Sequence, residues 1–283
     1  MKLATFTAGG PPELGLVQGD RIISISRGAP QLGAEMRQLI ARWPDVEGVV
    51  RALGESAVET LALSHVRLLA PIPRPGKIFA IGLNYADHIA ESGQERPAEQ
   101  VWFSKAVTAA NGPFDPIEIP AGGRVDYEAE MVVVVGQGGR RIAATDAAAA
   151  IFGYCAGNDA TERAWQLRTP QWTLGKSFDT HAPFGPWITT ADEVADPHAL
   201  GLRGYVNGEL RQDSNTRHLV FNVWDQVAHL SHAMTLEPGD LIFTGTPGGV
   251  GVAMKPPKFL RAGDVVRVEI DGLGAIENPM ADA

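Results

Sequence analysis

The sequence lacks the features that typify secreted and membrane-spanning proteins. Its single cysteine, Cys155, excludes an intrachain disulfide and fits a reducing compartment. No apolar run approaches the roughly 20 residues that cross a bilayer. The N-terminal stretch MKLATFTAGG has no long apolar core and no cleavage-like motif. We therefore expect no signal peptide, no membrane partner, and a soluble cytoplasmic protein.

Positive charge is also scarce. Lys and Arg total 24 against 33 Asp and Glu, which gives a formal net charge of −9. Nucleic acids attract strongly basic surfaces, so we expect no nucleic-acid partner. A small anionic substrate stays compatible with this balance, because a local cluster of basic side chains reverses the field inside a cleft.

The pattern of apolar residues predicts a β-rich α+β fold. Gly and Pro are plentiful, at 32 and 20 residues, which predicts many turns. Short strand patterns outnumber helical ones and do not alternate with them, so curled or mixed sheets are favoured over a doubly wound sheet. Asn207-Gly208 predicts a tight hairpin. Helices are predicted at Ala34–Trp43, Val46–Leu53, Ala86–Gly93, Thr145–Ile151, Ala160–Gln166 and Asn222–Met234.

The stiff, proline-rich segment 70–76, APIPRPG, predicts a domain boundary. It separates a small N-terminal α+β unit, residues 1–70, from a main domain, residues 71–283.

The central motif is VDYEAEMVVVVG, residues 125–136. Met131–Val135 is short, β-branched and closed by a glycine, which predicts a buried strand. Side chains at i and i+2 share one face of a strand, so Glu128 and Glu130 are expected side by side. Two such carboxylates repel unless a cation lies between them, and an all-oxygen site favours Mg²⁺, Mn²⁺ or Ca²⁺ over zinc. The alternative is a solvated strand end.

His88 and Glu91 stand at i and i+3 on a predicted helix and therefore face the same side. A carboxylate beside an imidazole raises its basicity and orients it, which is the arrangement that activates a water molecule. His-x-x-Glu is common by chance, so the pattern alone is equally typical of an ordinary solvated helix.

Asp159, Arg163 and Gln166 follow at i, i+4 and i+7 of the next predicted helix. Asp159 is a candidate third metal ligand, with Arg163 and Gln166 directed at a substrate. The alternatives are a helix N-cap at Asp159 and a simple ion pair with Arg163.

Two lysines and a glycine-rich loop complete the candidates. Lys105 and Lys176 lie among apolar residues and either extend to water or line a pocket. The segment 244–251, TGTPGGVG, follows a strand but lacks the Gly-Lys-Ser/Thr end of a nucleotide-binding loop. Such a loop can bring backbone N–H groups close to a carboxylate.

Taken in order, seven segments resemble the fumarylacetoacetate hydrolase superfamily. They are GLNYADHIAE (82–91), FSK (103–105), DYEAEMVVVVG (126–136), NDATERAWQ (158–166), WTLGKSFDTHAPFGPW (172–187), VNGELRQDSNT (206–216) and TLEPGDLIFTGTPGGVG (235–251). Each is weak alone, but the ordered set is specific and covers most of residues 71–283. The resemblance implies a mixed β-roll and a homodimer.

The resemblance also implies a set of site residues. Glu128, Glu130 and Asp159 would hold one Mg²⁺ or Mn²⁺, and His88 with Glu91 would form a catalytic dyad on a lid. Positions expected to line the substrate site are Arg163, Gln166, Lys176 and Thr246, to which we add Lys105 and Gly245. Ala164 and Ala106 depart from residues frequent in the family, outside the metal and dyad positions.

Family members act on 2-oxo acids, so we expect a small anionic 2-oxo acid as substrate. The leading prediction is hydrolysis of a C–C bond in a 2,4-dioxo acid, acylpyruvate-like or derived from a sugar acid. His88 and Glu91 would deprotonate water, and Lys176 would hold the developing oxyanion. Decarboxylation, isomerisation and dehydration through the same enolate are the alternatives. From position alone, residues 94–100 and Ser214–Arg217 are predicted to influence specificity.

Overall fold

The computed structural model describes residues 1–56, 60–93 and 95–283. Within these ranges the strands are β1 (Lys2–Thr7), β2 (Glu13–Gln18), β3 (Arg21–Ser24), β4 (Thr60–Ala62), β5 (Arg67–Leu69), β6 (Ile78–Gly82), β7 (Val101–Lys105), β8 (Ala110–Asn111), β9 (Ile117–Ile119), β10 (Val125–Asp126), β11 (Ala129–Val135), β12 (Ile151–Asn158), β13 (Thr161–Glu162), β14 (Ala182–Thr190), β15 (Gly201–Val206), β16 (Glu209–Asn215), β17 (Leu241–Phe243), β18 (Val265–Ile270) and β19 (Gly274–Asp282). The α-helices are α1 (Ile25–Gly28), α2 (Met36–Ala41), α3 (Trp43–Glu55), α4 (Ala86–Ser92), α5 (Arg163–Gln166) and α6 (Val223–Ala233).

Most strands join one large mixed sheet. Its hydrogen-bonded order is β4-β3-β2-β1-β14-β12-β11-β17-β6-β7, with β5 beside β1 and β8 beside β14. A second sheet has the order β16-β15-β18-β19-β9. The β6–β17, β8–β14 and β9–β19 pairs are parallel, whereas the remaining named pairs are antiparallel. The predicted β-rich fold with mixed sheets is therefore confirmed.

The centre of the large sheet is apolar on both faces. Every residue of β11 and β12 is buried. Val132 and Val134 pack into one hydrophobic cluster, and Met131 and Val133 pack into another on the opposite face. Burial on both sides explains why β11 is a continuous β-branched run instead of an alternating one.

The N-terminal segment is built into the same sheet. β1 pairs with β14, with Lys2 opposite Thr189 and Leu3 opposite Ile188. Helices α2 and α3 pack their buried residues on the same core. Because one sheet runs through both parts of the chain, the division after residue 70 stays a prediction.

Two local predictions, a hairpin and a helix, have different outcomes. The Asn207-Gly208 hairpin is confirmed, since both residues have positive φ and connect antiparallel β15 and β16. The helix expected over Ala160–Gln166 is wrong. Thr161 and Glu162 instead pair with Asp126 and Val125, which leaves only the single turn α5.

The segment predicted as the helix Thr145–Ile151 is a 3₁₀ stretch, Ala144–Ala150. Among the helices that the structure describes, none is long and apolar enough to cross a bilayer.

Candidate active site

The register of the large sheet brings three acids together. β11 and β12 are antiparallel, with Glu130 opposite Gly157, so the start of β11 lies beside the end of β12. Asp159 follows that end and donates its N–H to the Glu128 carbonyl at 2.9 Å. One carboxylate oxygen from each of Glu128, Glu130 and Asp159 lies within 4.8 Å of the others, and all three side chains are buried.

The glycine-rich loop reaches the same place from the other edge of β11. β17 is antiparallel to β11, so the residues after Phe243 lie at the start of β11. The Gly245 N–H donates to Glu130 Oε2 at 2.8 Å. Thr246 Oγ1 donates to the Ala129 carbonyl at 3.0 Å. Gly245 has φ of +99°, a conformation that favours glycine.

Three buried cations surround the acids. Lys176 Nζ lies 2.6 Å from Glu128 Oε2 and 2.7 Å from Asp159 Oδ2. Lys105 Nζ donates to Asp159 Oδ1. Arg163 Nη1 lies 2.7 Å from Glu128 Oε1. Both lysines are buried, so the alternative that they extend to water is wrong. The acids are buried as well, which excludes a solvated strand end.

The pKa values of Glu128 and Glu130 are shifted in opposite directions. Burial alone would raise the pKa of Glu128, but the Lys176 and Arg163 charges outweigh it and lower the pKa to about 2. Burial, followed by the charges of Asp159 and Glu128, raises the pKa of Glu130 well above its ordinary value. Among the residues that the structure describes, no cation pairs with Glu130; its polar partner is the Gly245 N–H.

This unbalanced carboxylate makes the triad fit a divalent cation. Three buried carboxylates offer an all-oxygen donor set, which Mg²⁺ and Mn²⁺ prefer. An ion between them would supply the positive charge that Glu130 lacks. Glu128, Glu130 and Asp159 are the residues that would hold it.

Asp126 is a buried acid for which no role was predicted from the sequence. It accepts hydrogen bonds from Arg163 Nε at 2.9 Å and from the Gly251 and Val252 N–H groups at 2.8 and 2.9 Å. It therefore fixes Arg163 and the glycine-rich loop together. The available signal was its position inside an otherwise buried segment.

His88 and Glu91 lie on α4, as predicted. His88 Nδ1 is 3.7 Å from Glu91 Oε2 and makes no hydrogen bond within the described part of the chain. Glu91 accepts from the Gly249 N–H at 3.1 and 2.9 Å. The dyad is thus connected to the loop that carries Thr246.

A cavity of about 190 Å³ opens onto these groups. Of the predicted site residues, it is lined by Glu128, Glu130, His88, Arg163, Gln166, Lys176 and Thr246. Asp159, Glu91 and Gly245 are not part of this lining but contact Lys176, His88 and Glu130, which are; Lys105 lies one contact further away, against Asp159. Hollows of about 840 and 630 Å³ elsewhere are larger, but neither is lined by the acids, so we assign the chemistry to the smaller cavity.

The rest of the cavity wall is apolar and includes Phe103 and Trp172. Their rings meet edge-on, with centroids 5.6 Å apart. Sequence reasoning missed both, because they lie far apart in the chain and carry no local pattern.

Of the segments predicted to influence specificity, neither residues 95–100 nor Ser214–Arg217 belong to this lining. Ser214 Oγ donates to Asp87 Oδ2 of α4 at 3.3 Å, so the segment Ser214–Arg217 contacts the helix of the dyad. In the segment 94–100, Gln94 lies outside the described residues. The effect of both segments on specificity stays a prediction.

The fold and the site define a β-rich protein with a buried divalent-cation site beside a small cavity. The family model "Fumarylacetoacetate (FAA) hydrolase C-terminal" matches residues 77–281, and the model "Rv2993c-like, N-terminal" matches residues 1–71. The chain belongs to the fumarylacetoacetate hydrolase superfamily, whose members are enzymes.

Relatives divide among several reactions. The oxaloacetate tautomerase fahd2, mitochondrial, of Xenopus laevis is 43% identical over 99% of this chain and 90% of its own length. The maleylpyruvate hydrolase of Sphingobium sp. SYK-6, solved with manganese(II) and pyruvate, has TM-score 0.85 and 35% identity, with both chains fully covered. The 5-carboxymethyl-2-hydroxymuconate delta-isomerase of Mycobacterium smegmatis has TM-score 0.80 and 33% identity, covering 100% and 99%.

Proposed function

We propose that the chain is a divalent-metal-dependent enzyme that interconverts the keto and enol forms of a small 2-oxo acid such as oxaloacetate. The observation that carries this proposal is the buried triad Glu128, Glu130 and Asp159, two of whose members line a cavity of about 190 Å³ together with His88. The name of the Xenopus relative, which aligns with nearly the whole chain, supports the same reaction.

The bound ion would polarise the 2-oxo group and stabilise the negative charge that develops on its oxygen. The substrate itself is anionic, and Lys176 and Arg163 supply positive charge at the cavity wall. Gln166 Oε1 accepts from Arg163 Nη1 at 3.0 Å, which directs its amide nitrogen away from that pair and leaves it available to a substrate oxygen.

Tautomerisation needs a group that takes a proton from C3 of the substrate and returns it. His88 lines the cavity, and its Nδ1 lies 3.7 Å from Glu91 Oε2 and makes no hydrogen bond among the described residues. A neighbouring carboxylate favours the protonated imidazole, so Glu91 would stabilise His88 after proton transfer. The reaction needs no water and breaks no C–C bond.

The second candidate is hydrolysis of a short acylpyruvate, the leading prediction from the sequence. The observation that favours it is the manganese(II) and pyruvate in the maleylpyruvate hydrolase structure, since pyruvate is the expected product of such a cleavage. The same His88–Glu91 pair would deprotonate the attacking water. Decarboxylation and dehydration remain alternatives without a specific supporting observation.

The test uses metal-stripped protein assayed with and without Mg²⁺ or Mn²⁺. Enol oxaloacetate in an aprotic stock is diluted into buffer, and its ultraviolet absorbance is followed, with acetylpyruvate in parallel and pyruvate release measured in both. We expect metal-dependent loss of the enol without pyruvate formation. His88→Ala should abolish it, whereas His229→Ala, an exposed histidine on α6, should not.

Metal-dependent pyruvate release from acetylpyruvate alone would favour the hydrolase instead. Turnover that is unaffected by metal removal would overturn both candidates.

A further inference from the structure

We propose that Phe103 and Trp172 form a length filter that restricts this site to short 2-oxo acids. The inference rests on the proposed function, because it concerns the substrate of the same cavity. The pair lies in the cavity wall together with the carboxylates and Lys176.

The cavity lining divides by chemistry. Its polar part consists of Glu128 and Glu130, which would hold the ion, and of Arg163, Lys176, His88, Gln166 and Thr246, which suit the carboxylate and 2-oxo group of a substrate. Its apolar part consists of Ile81, Leu83, Phe103, Leu167, Trp172 and Val252. Any chain that extends beyond the polar groups must therefore lie against the apolar part. A volume of about 190 Å³ leaves little room there, since pockets for drug-sized ligands measure roughly 300–1,000 Å³.

The indole of Trp172 packs directly against Gly82 of β6. A Cβ on Gly82 would lie 2.9 Å from Trp172 Cη2 and closer still to Cζ3, so the indole occupies the space that a side chain at position 82 would need. Gly82 does not have a positive φ, so backbone conformation does not demand glycine there. The requirement is the approach of the ring to the strand.

Phe103 also contacts the indole. It lies on β7 opposite Ala80 of β6, and its ring contacts Trp172 edge-on at a centroid distance of 5.6 Å. Lys176 Nζ stands 4.9 Å from the centroid of the same phenyl ring. The apolar wall therefore directly adjoins the cation that contacts the triad, so a substrate anchored beside Lys176 meets the rings within a short distance.

We expect affinity to fall once the substrate chain reaches the rings. A methylene group that a pocket cannot accommodate changes discrimination by about 10–200-fold. The filter accordingly favours 2-oxo acids of about four or five carbons and rejects longer unbranched ones. This substrate class includes oxaloacetate and excludes long-chain acylpyruvates.

The experiment measures binding, so that it does not depend on turnover. Isothermal titration calorimetry on the Mn²⁺-loaded protein gives Kd values for pyruvate, 2-oxobutanoate, 2-oxopentanoate, 2-oxohexanoate and 2-oxooctanoate. For the wild type we expect the Kd of 2-oxooctanoate to exceed that of pyruvate by at least about tenfold. In Trp172→Ala that ratio should fall to about one or below, with pyruvate affinity changed less than about threefold.

One further variant controls for a general disturbance of the segment, and another replaces Trp172→Ala if that protein does not fold. Leu174→Ala removes an exposed side chain of the same segment, with 62% of its surface accessible and no part in the cavity lining, and should leave the ratio at the wild-type value. Trp172→Leu serves if Trp172→Ala does not fold, and should lower the ratio partially.

The Gly82 contact provides an independent check. Gly82→Ala should displace the indole and therefore lower the ratio of Kd values in the wild-type background, but have little further effect in Trp172→Ala, where the ring is absent. Equal effects in both backgrounds would overturn the assigned contact.

An unchanged ratio of Kd values in both Trp172 variants, with pyruvate still bound, would overturn the filter and leave the proposed function standing. Failure of the Mn²⁺-loaded wild type to bind any 2-oxo acid would instead overturn the proposed function, and the filter with it.

Discussion

Gly249 donates its backbone N–H to both carboxylate oxygens of Glu91, at 3.1 and 2.9 Å. This contact joins helix α4 to the glycine-rich loop, two elements that are far apart in the chain. The position of the Glu91 carboxylate, and through it that of His88, therefore depends on the conformation of the loop.

Replacing Gly249 should uncouple the dyad from the loop. Gly249 has φ of +101°, and a Cβ there would lie 2.9 Å from the Arg211 carbonyl carbon and closer still to its oxygen, so Gly249→Ala cannot keep this backbone. We expect kcat to fall by about 10²-fold or more, the range for loss of a positioned acid–base group, with Mn²⁺ affinity within about threefold of wild type. Steady-state kinetics and calorimetry measure the two quantities. Gly272→Ala is the matched control, because Gly272 also has positive φ but no heavy atom of the described residues within 4 Å of its Cβ position. Equal losses in both variants would contradict the coupling.

Removing the charge of Glu130 should stabilise the metal-free protein while abolishing metal binding. Because the folded pKa of Glu130 is raised, the native state holds this proton more tightly than the unfolded state does. Stability is therefore lost as pH rises from the ordinary glutamate pKa through the raised value. Glu130→Gln lacks this loss and keeps an oxygen for the Gly245 N–H.

Chemical denaturation of both metal-free proteins between pH 4 and pH 9 measures this difference. We expect the variant to gain stability over wild type as pH rises, by about 1.4 kcal/mol for each pH unit spanned by the shift, and to bind no Mn²⁺. Wild type should release a proton when Mn²⁺ binds, which the variant cannot do. A constant difference across this pH range would contradict the assignment of the shift to Glu130.

Lys176 should stabilise the fold as well as the site. It contacts Glu128 and Asp159 at 2.6 and 2.7 Å and is 2% exposed. Lys176→Met leaves these buried carboxylates undercompensated, and loss of one partner of a buried pair costs about 3–5 kcal/mol. Urea denaturation without metal should show this loss, and saturating Mn²⁺ should recover part of it. Lys77→Met removes a half-exposed lysine that pairs with Glu237 and Asp240, and it should cost less and show no recovery with Mn²⁺.

Asp126→Asn should impair substrate binding more than the chemical step. Asn presents one acceptor oxygen where the carboxylate serves Arg163 and two loop N–H groups, so the guanidinium loses its fixed position. We expect KM to rise by about tenfold or more with a smaller change in kcat, because the variant loses a charged hydrogen bond to Arg163, which we propose contacts the substrate. Asp264→Asn is the control, because Asp264 accepts from the Arg261 N–H and from Asn207 and does not line the cavity. A fall in kcat at unchanged KM would contradict a positioning role.

Features that depend on residues close together in the chain could be predicted from the sequence, whereas features that depend on long-range pairing could not. Glu128 and Glu130 were predicted as neighbours because the i, i+2 spacing on a strand is local. The prediction of one helical face over 159–166 was wrong because Thr161 and Glu162 pair with a strand about 35 residues earlier. Local periodicity does not reveal such a long-range pairing. Asp126 and the Phe103–Trp172 pair were missed for the same reason. The N-cap alternative for Asp159 was wrong, since Glu162 caps α5 and Asp159 contacts the two lysines.

Several expectations stay predictions. They are the catalytic roles of His88, Glu91 and Lys176, the substrate contacts of Arg163, Gln166, Lys105, Gly245 and Thr246, the homodimer and the cytoplasmic location. The family membership and the β-rich mixed fold are confirmed by the comparisons.

The most direct test of a metal-dependent enolising site is the exchange of the C3 protons of pyruvate with solvent deuterium, followed by proton NMR. Pyruvate cannot be hydrolysed at a C–C bond, so the exchange reports enol formation alone. We predict rapid exchange with the Mg²⁺-loaded wild type and exchange at the buffer rate with His88→Ala, with Glu130→Gln and with metal-free protein. Exchange at the buffer rate with the Mg²⁺-loaded wild type, under conditions where calorimetry shows pyruvate bound, would contradict enolisation at this site.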